Sequence, residues 1–307
     1  MNDHSDQSAD PRCGFAALVG APNAGKSTLL NQLVGAKVSI VSRKAQTTRA
    51  LVRGIAIEDA AQIILIDTPG IFKPKRRLDR AMVSSALSGV ADADVIVVLI
   101  DARRGVDEEV DAILAQMQES AAPKILVINK IDVIAREALL ALAAKLNECV
   151  KFNDTFMISA LTGDGVGSLR QAIGRYMKPS PWLYPEDQLS DAPLRILAAE
   201  ITREQIYHRL HDEIPYQSTV ETDIWKHQKD GSARIQQTIY VARDGQKRIV
   251  IGEGGRTIKA IGQAARREIA EAAEQPVHLF LFVKVRENWE DDPERYREMR
   301  LEFPKDT

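Results

Sequence analysis

The chain has 307 residues, 45% of them hydrophobic and 27% charged, with a formal net charge of −2. That is the usage of an ordinary globular protein long enough for two cores, and it excludes collagenous, fibrous and wholly disordered chains. The longest aliphatic run, 95–100, is far short of the roughly 20 residues of a membrane-spanning helix. Residues 1–12 lack the apolar centre of a secretory signal, and two cysteines make no disulfide framework, so a cytoplasmic location is expected.

After a polar, flexible N-terminus (1–14), the chain from 15 to 177 alternates short β-branched runs (15–19, 63–66, 95–100, 125–128 and 156–158) with stretches of helical apolar spacing. Strands apolar on both faces and separated by helices predict an α/β domain with a largely parallel sheet. Residues 51–58 read as one further strand, antiparallel to 61–67, because only Asp59 and Ala60 connect them. Residues 178–193 hold four of the 13 prolines and predict a linker. Beyond it, 194–290 reads as helix, two strands, Gly-rich turn, helix and strand, and 291–307 as an acidic C-terminal tail.

The first strand runs into GAPNAGKS, residues 20–27, and then into a helix. Gly20 and Gly25 let the backbone wrap phosphate oxygens, and the helix N-terminus aims free N–H groups at the same place. Asn23, Ala24, Gly25 and Thr28 complete this phosphate loop, Lys26 reaches the β- and γ-phosphates, and the Ser27 hydroxyl suits Mg²⁺. One hairpin later comes DTPG, residues 67–70, where Asp67 can hold a magnesium-bound water and the Gly70 amide can meet the γ-phosphate.

After the 125–128 strand stands NKID, residues 129–132. Guanine presents N1–H and N2–H₂ side by side, a donor pair that the Asp132 carboxylate accepts and that adenine lacks. Asn129 is expected to contact the base edge and steady the loops, and the stem of Lys130 to cover the ring. Ser159 and Ala160 close the pocket, with the Ala160 amide facing guanine O6. All four segments follow strand C-termini, where α/β folds bind ligands. The ordered set resembles a GTPase domain of the translation-factor class. That resemblance implies a switch loop in SRKAQTTR, 42–49, with Thr48 joining Ser27 on Mg²⁺ when the γ-phosphate is present. Lys26, Thr48, Asp67 and Gly70 then carry catalysis. Ile71 stands where small switches keep a water-orienting glutamine, so slow unassisted turnover is expected. Asn23 resembles the residue of GTPases that hold K⁺ beside the phosphates.

In the second domain, Gly252-Glu253-Gly254-Gly255 precedes an amphipathic helix and resembles the GXXG loop of a KH domain, which clamps single-stranded RNA by its backbone. Between residues 243 and 270 seven bases oppose three acids, the local footprint that phosphates require. Lys247, Arg248, Arg256 and Lys259, with 252–255, are the candidate RNA contacts. A P-loop GTPase domain followed by an α+β KH domain of type II, together with KAQTTR, resembles the Era family of bacterial GTPases. The resemblance implies Mg²⁺ as cofactor, GTP and GDP as ligands, binding to 16S ribosomal RNA near its 3′ end, a part in 30S subunit maturation, some peripheral membrane association and a monomer. Two rivals stay open: a small-molecule kinase using the same P-loop, which NKID opposes, and a membrane- or protein-docking GTPase whose C-terminal domain binds a protein.

Overall fold

The computed structural model describes residues 10–44, 47–49, 51–70, 72, 74, 76–287, 289–299 and 301–304. They cluster into two compact units, the first being Met1–Val38, Leu51–Lys73 and Val83–Asp191 and the second Ser39–Ala50, Pro74–Met82 and Ala192–Thr307.

In the first half of the chain the elements are β1 (Arg12–Gly20), α1 (Lys26–Val34), β2 (Val52–Glu58), β3 (Ala61–Asp67), α2 (Arg77–Ala91), β4 (Val95–Asp101), α3 (Glu108–Glu119), β5 (Lys124–Asn129), α4 (Arg136–Cys149), β6 (Asp154–Ile158), α5 (Val166–Arg175) and the short β7 (Lys178–Pro179). The strand order is β2-β3-β1-β4-β5-β6, with β7 paired to the start of β1. All pairs are parallel except β2 with β3 and β1 with β7. Every residue of β3, β4 and β5 is buried, because helices cover both faces and leave two apolar clusters, one on each side of the sheet. The 52–58 strand pairs antiparallel to 61–67 as expected, Val52 opposite Asp67 and Glu58 opposite Ala61. Helix α3 starts on Asp107, whose carboxylate accepts the Val110 amide at 3.0 Å, with Glu108, Glu109 and Asp111 in the favourable first turn.

The Pro-rich segment lies against this unit as far as Asp191. The Gln62 amide oxygen accepts the Leu183 and Tyr184 amides at 2.9 and 3.0 Å, its nitrogen donates to the Tyr184 carbonyl, and Ile55 N donates to Leu189 O.

The second unit contains α6 (Leu194–Arg209), β8 (Ser218–His227), β9 (Ala233–Val241), α7 (Asp244–Ile251), α8 (Arg256–Ala272), β10 (Val277–Val285) and α9 (Pro293–Glu298). Its sheet runs β10-β9-β8, with β9 parallel to β10 and antiparallel to β8. Helix α8 buries Ile261, Ala265 and Ile269, one stripe at i, i+4 and i+8, and leaves Arg266 and Arg267 exposed. Together with α6 it covers one face of the sheet, and Ile235, Ile239 and Val241 point into that core. The acid-rich end also contributes: Tyr296 and Leu301 are buried.

Residues 39–50 belong to this second unit. The Arg49 side chain is buried; its Nη1 donates to Ser218 O at 2.8 Å, its Nη2 to Tyr216 O at 2.9 Å and Pro215 O at 3.1 Å, and the guanidinium lies 5.5 Å from the centre of the Trp289 ring. Alongside it, Arg203 donates to Thr47 O at 2.6 Å and Val41 N donates to Glu204 Oε1 at 2.7 Å.

Candidate functional site

Four loops of the first unit follow the C-terminal ends of β1, β3, β5 and β6, and they carry the residues read from the sequence. The first loop depends on its glycines. Gly25 has φ +104°, and a Cβ there would collide with the Asn129 amide nitrogen; a Cβ on Gly20 would stand 2.5 Å from Leu99 O. The loop then enters α1, where no side chain caps the first amides, so those N–H groups remain for an anion. Lys26 is buried and donates from Nζ to Gly20 O at 2.9 Å and Ala21 O at 3.0 Å. Burial pushes its ammonium down to about 8, against the opposing pull of the Asp67 and Glu109 carboxylates.

The Ser27 hydroxyl donates to Asp67 Oδ2 at 2.6 Å. A hydroxyl and a carboxylate this close form a hard-oxygen donor set of the kind Mg²⁺ takes, one directly and the other through water. The next residue, Thr68, is fully buried and bonds Leu18 O at 2.7 Å, which fixes the DTPG segment to β1. Gly70 packs on Pro22, where a Cβ would come within 3.0 Å of the proline nitrogen. Thr48, expected to join Ser27 on Mg²⁺, belongs to the other unit, Ser39–Ala50 among its segments; Ile71 lies outside the described residues.

Asn129 is the joint of the base side. Its Nδ2 donates to Ala24 O at 2.8 Å, while its Oδ1 accepts Lys130 N at 2.8 Å and Ala160 N at 2.9 Å. One buried amide thus ties the phosphate loop to both base loops, and the Ala160 amide, expected to face guanine O6, is given to Asn129. Lys130 sits at φ +69° and spans the loops, donating to Asn23 O and to Asp101 Oδ2, each at 2.6 Å. Those two bonds fix the course of its stem. Ser159 is buried and shapes its own turn, its oxygen accepting Thr162 N at 3.2 Å. Asp132 follows on an exposed turn, Ile131–Val133.

Sequence reasoning missed Asp101. Asp107 caps the helix that follows, whereas Asp101 ends β4 and holds Lys130 and Arg103. Burial pushes the Asp101 carboxyl up, but hydrogen bonds from Arg103 and Lys130 win and keep it below the usual carboxylate range. No local pattern announces such a partner, because β4 and β5 become neighbours only through the sheet register that places Asp101 opposite Asn129.

The glycine loop of the second unit lies between α7 and α8. Gly252, Gly254 and Gly255 have φ of +74°, +60° and +76°. A Cβ on Gly252 would collide with the Thr257 hydroxyl, whereas at Gly254 and Gly255 nothing lies within 4 Å. The backbone there is left-handed and open to a ligand's close approach. The run before the loop is helix α7, with Lys247 half-buried and Arg248 exposed. Arg256 and Glu253 form an exposed ion pair, and Lys259 is exposed one turn further on.

The Lys26 environment sets a pH test. Phosphates favour the ammonium, so below about pH 8 the lysine is already charged and nucleotide affinity is flat. Above it, binding must take up a proton. GDP affinity measured by calorimetry is expected to fall as pH rises past 8, with a slope approaching tenfold per pH unit. A flat profile from pH 8 to 9, below the range in which guanine itself loses a proton, would rule out this titration.

A family profile described as a 50S ribosome-binding GTPase matches residues 15–130, and one described as a KH domain matches residues 213–290. The GTPase Era of Afipia carboxidovorans is 66% identical over 98% of this chain and 98% of its own. That of Sinorhizobium medicae is 63% identical over 96% and 95%. Among solved structures, Era in complex with MgGDPNP and nucleotides 1506–1542 of 16S ribosomal RNA superposes with a TM-score of 0.89 at 39% identity, covering 94% of this chain and 98% of that one. Aquifex aeolicus Era bound to GDP and AlF₄⁻ superposes equally well. On identity that spans both units, the chain belongs to the Era family of GTPases.

Proposed function

We propose that this chain is a GTP-binding and GTP-hydrolysing switch that binds small-subunit ribosomal RNA near its 3′ end and assists assembly of the 30S subunit, as a cytoplasmic monomer. Its strongest support is that one polypeptide carries both the Asn129-centred base site and the open glycine loop, in a chain resembling over 94% of its length the Era structure that holds MgGDPNP and ribosomal RNA. Residues 15–177, apart from 39–50 and 74–82, which cluster with the second unit, form the GTPase domain, 178–193 the linker, 194–290 the RNA-binding domain and 291–307 an acidic extension.

In this reading the phosphate-loop amides and Lys26 take the phosphates, and Asp132 takes the guanine N1–H and N2–H₂. Asn129 holds the three loops in register and has a second Nδ2 hydrogen for the base edge. Ser27 and Asp67 would hold Mg²⁺, which when bound neutralises charge on the β- and γ-phosphates. The side chain of Ile71 has no group to orient water, so that task falls to backbone amides such as Gly70 or to a partner, and unassisted turnover is slow. Among the described residues no helix is long and apolar enough to cross a membrane, so the membrane association that the resemblance implies is peripheral.

The test is co-sedimentation with 30S particles in GTP and in GDP. Retention that responds to nucleotide is expected; no retention in either state would overturn the reading. A further expectation concerns Asn23, which sits at φ +65° beside the phosphates. If its side-chain oxygen helps hold K⁺, turnover in KCl will exceed that in NaCl at equal ionic strength. Asn23→Gly, which relieves the left-handed backbone rather than straining it, will erase the difference. Equal native rates in the two salts would eliminate K⁺ from the mechanism.

A further inference from the structure

The helix-free face of the second unit's sheet carries a pattern that the glycine loop does not use. Along β10, His278, Phe280, Phe282 and Lys284 are all exposed, while Val277, Leu279, Leu281 and Val283 turn inward, the alternation of a half-buried strand. Phe280 and Phe282 keep 45% and 49% of their surface in water, and Ile224 on β8 keeps 43%. Register sets His278 beside Arg234 and Arg234 beside Lys226, a basic row across all three strands. The next row is Phe280, Gln236 and Ile224, and the row holding Lys284 also holds Tyr240. The Arg234 guanidinium lies 5.2 Å from the centre of the Phe280 ring.

Two rings at i and i+2 on one flat strand are the spacing at which sheet-borne aromatics stack successive unpaired bases. Cations stand at both ends of the pair, Arg234 and Lys226 at one and Lys284 at the other. The acids nearest this face are Glu221, in the row of Phe282, Asp223, which accepts the Thr238 hydroxyl at 2.7 Å, and Asp292, which pairs with the Arg286 lying over the Tyr240 ring. Asp230, in the β8–β9 turn, is held by Ser232. An apolar protein surface seated on the rings would have to strip water from the flanking cations, whereas phosphates on either side of stacked bases would satisfy them.

We propose that this sheet face is a second RNA-contact surface, on which Phe280 and Phe282 stack two unpaired bases while Arg234, Lys226 and Lys284 take the adjoining phosphates. It rests on the RNA-binding reading above and deepens it: a strand clamped at 252–255 continues onto the opposite face of the same domain, so the domain reads more of the strand than its glycine loop can hold.

The test uses the full chain and two single-stranded RNAs, one of about four nucleotides, enough for the glycine-loop clamp, and one three times as long. The Phe280→Ala/Phe282→Ala double variant is expected to lose at least tenfold in affinity for the long RNA and nothing for the short one, base stacking being worth about 1–3 kcal/mol per base. Phe280→Tyr/Phe282→Tyr, which keeps the ring faces, is expected to bind as the native chain does, and 4-thiouridine in the long RNA to cross-link to the β10 peptide. Unchanged affinity for the long RNA would overturn the proposal and leave the face to a protein partner. An equal loss for both RNAs would overturn it too, by marking damage to the domain. Gly255→Asp, run in parallel, separates the two readings: if it alone has no effect, the glycine-loop assignment fails; if only the phenylalanine variant has none, the sheet proposal fails.

Discussion

Asp132→Asn will exchange guanine for xanthine as the preferred base. The carboxylate accepts two guanine donors at once; an amide in its place turns one acceptor into a donor and faces N–H with N–H. Removing one partner of a charge-assisted, desolvated pair costs about 2–5 kcal/mol, roughly thirtyfold to a few thousandfold in affinity. Xanthine presents an acceptor at that edge, so xanthosine triphosphate is expected to recover most of the loss. The substitution leaves the fold alone, because Asp132 is exposed on its turn and the loop tie is made by Asn129. Titration with fluorescent GTP and XTP analogues decides it: full GTP affinity together with rejection of XTP would show that the base lies elsewhere.

The second large effect is expected at the glycine loop. Gly255→Asp places a carboxylate and a Cβ where a phosphate must approach, in a position where the protein itself has nothing within 4 Å. The side chain also has to accept φ +76°, which Asp and Asn tolerate better than other non-glycine residues. Gly255→Asn is therefore the matched control, with the same backbone demand and nearly the same volume but no charge. RNA affinity is expected to drop by a hundredfold or more for Asp and markedly less for Asn, with the gap closing as salt is raised. GTP binding should be untouched by either, because every nucleotide-site side chain named above except Thr48 lies in the first unit. Filter binding at several salt concentrations, with nucleotide titration of the same preparations, reads both. RNA affinity unchanged by Asp would remove this loop from the RNA site.

What the sequence revealed and what it concealed divide along physical lines. The strands 63–66, 95–100 and 125–128 were legible because burial on both faces writes an unbroken aliphatic run, mostly β-branched. The Asp107 cap was legible because capping spans three residues. The run before the glycine loop carries little local signal: three apolar residues in a row, Ile249 to Ile251, fit a strand as well as a helix, and only Gln246 and Val250, buried four apart, give α7 its helical face. The guanine motif was plain in type and order, but the wiring was not. Asn129 bonds Ala24, 105 positions earlier, and Asp101 meets Lys130 only through strand register. Contacts of that kind are properties of the sheet and have no local period. Arg49 is the extreme case, read as switch-loop chemistry and found inside the second unit.

That burial has a consequence for how the molecule comes off the ribosome. Arg49 is synthesised early, and the carbonyl of Ser218 that it grips lies 169 positions later. At about 5–20 residues per second, the guanidinium waits roughly ten to thirty seconds before Pro215, Tyr216 and Ser218 exist to receive it. By then β1 to β6 have all been made and can have closed around their own core. Residues 39–50 must therefore stay out of that core while it condenses, and a charged, threonine-rich sequence is suited to wait in water. The same lag means that the C-terminal half, expressed alone from Ala192, has three backbone carbonyls with no arginine to bind. Such a fragment also lacks Pro74–Met82 of its unit, and it is expected to be less stable than the same residues in the full chain.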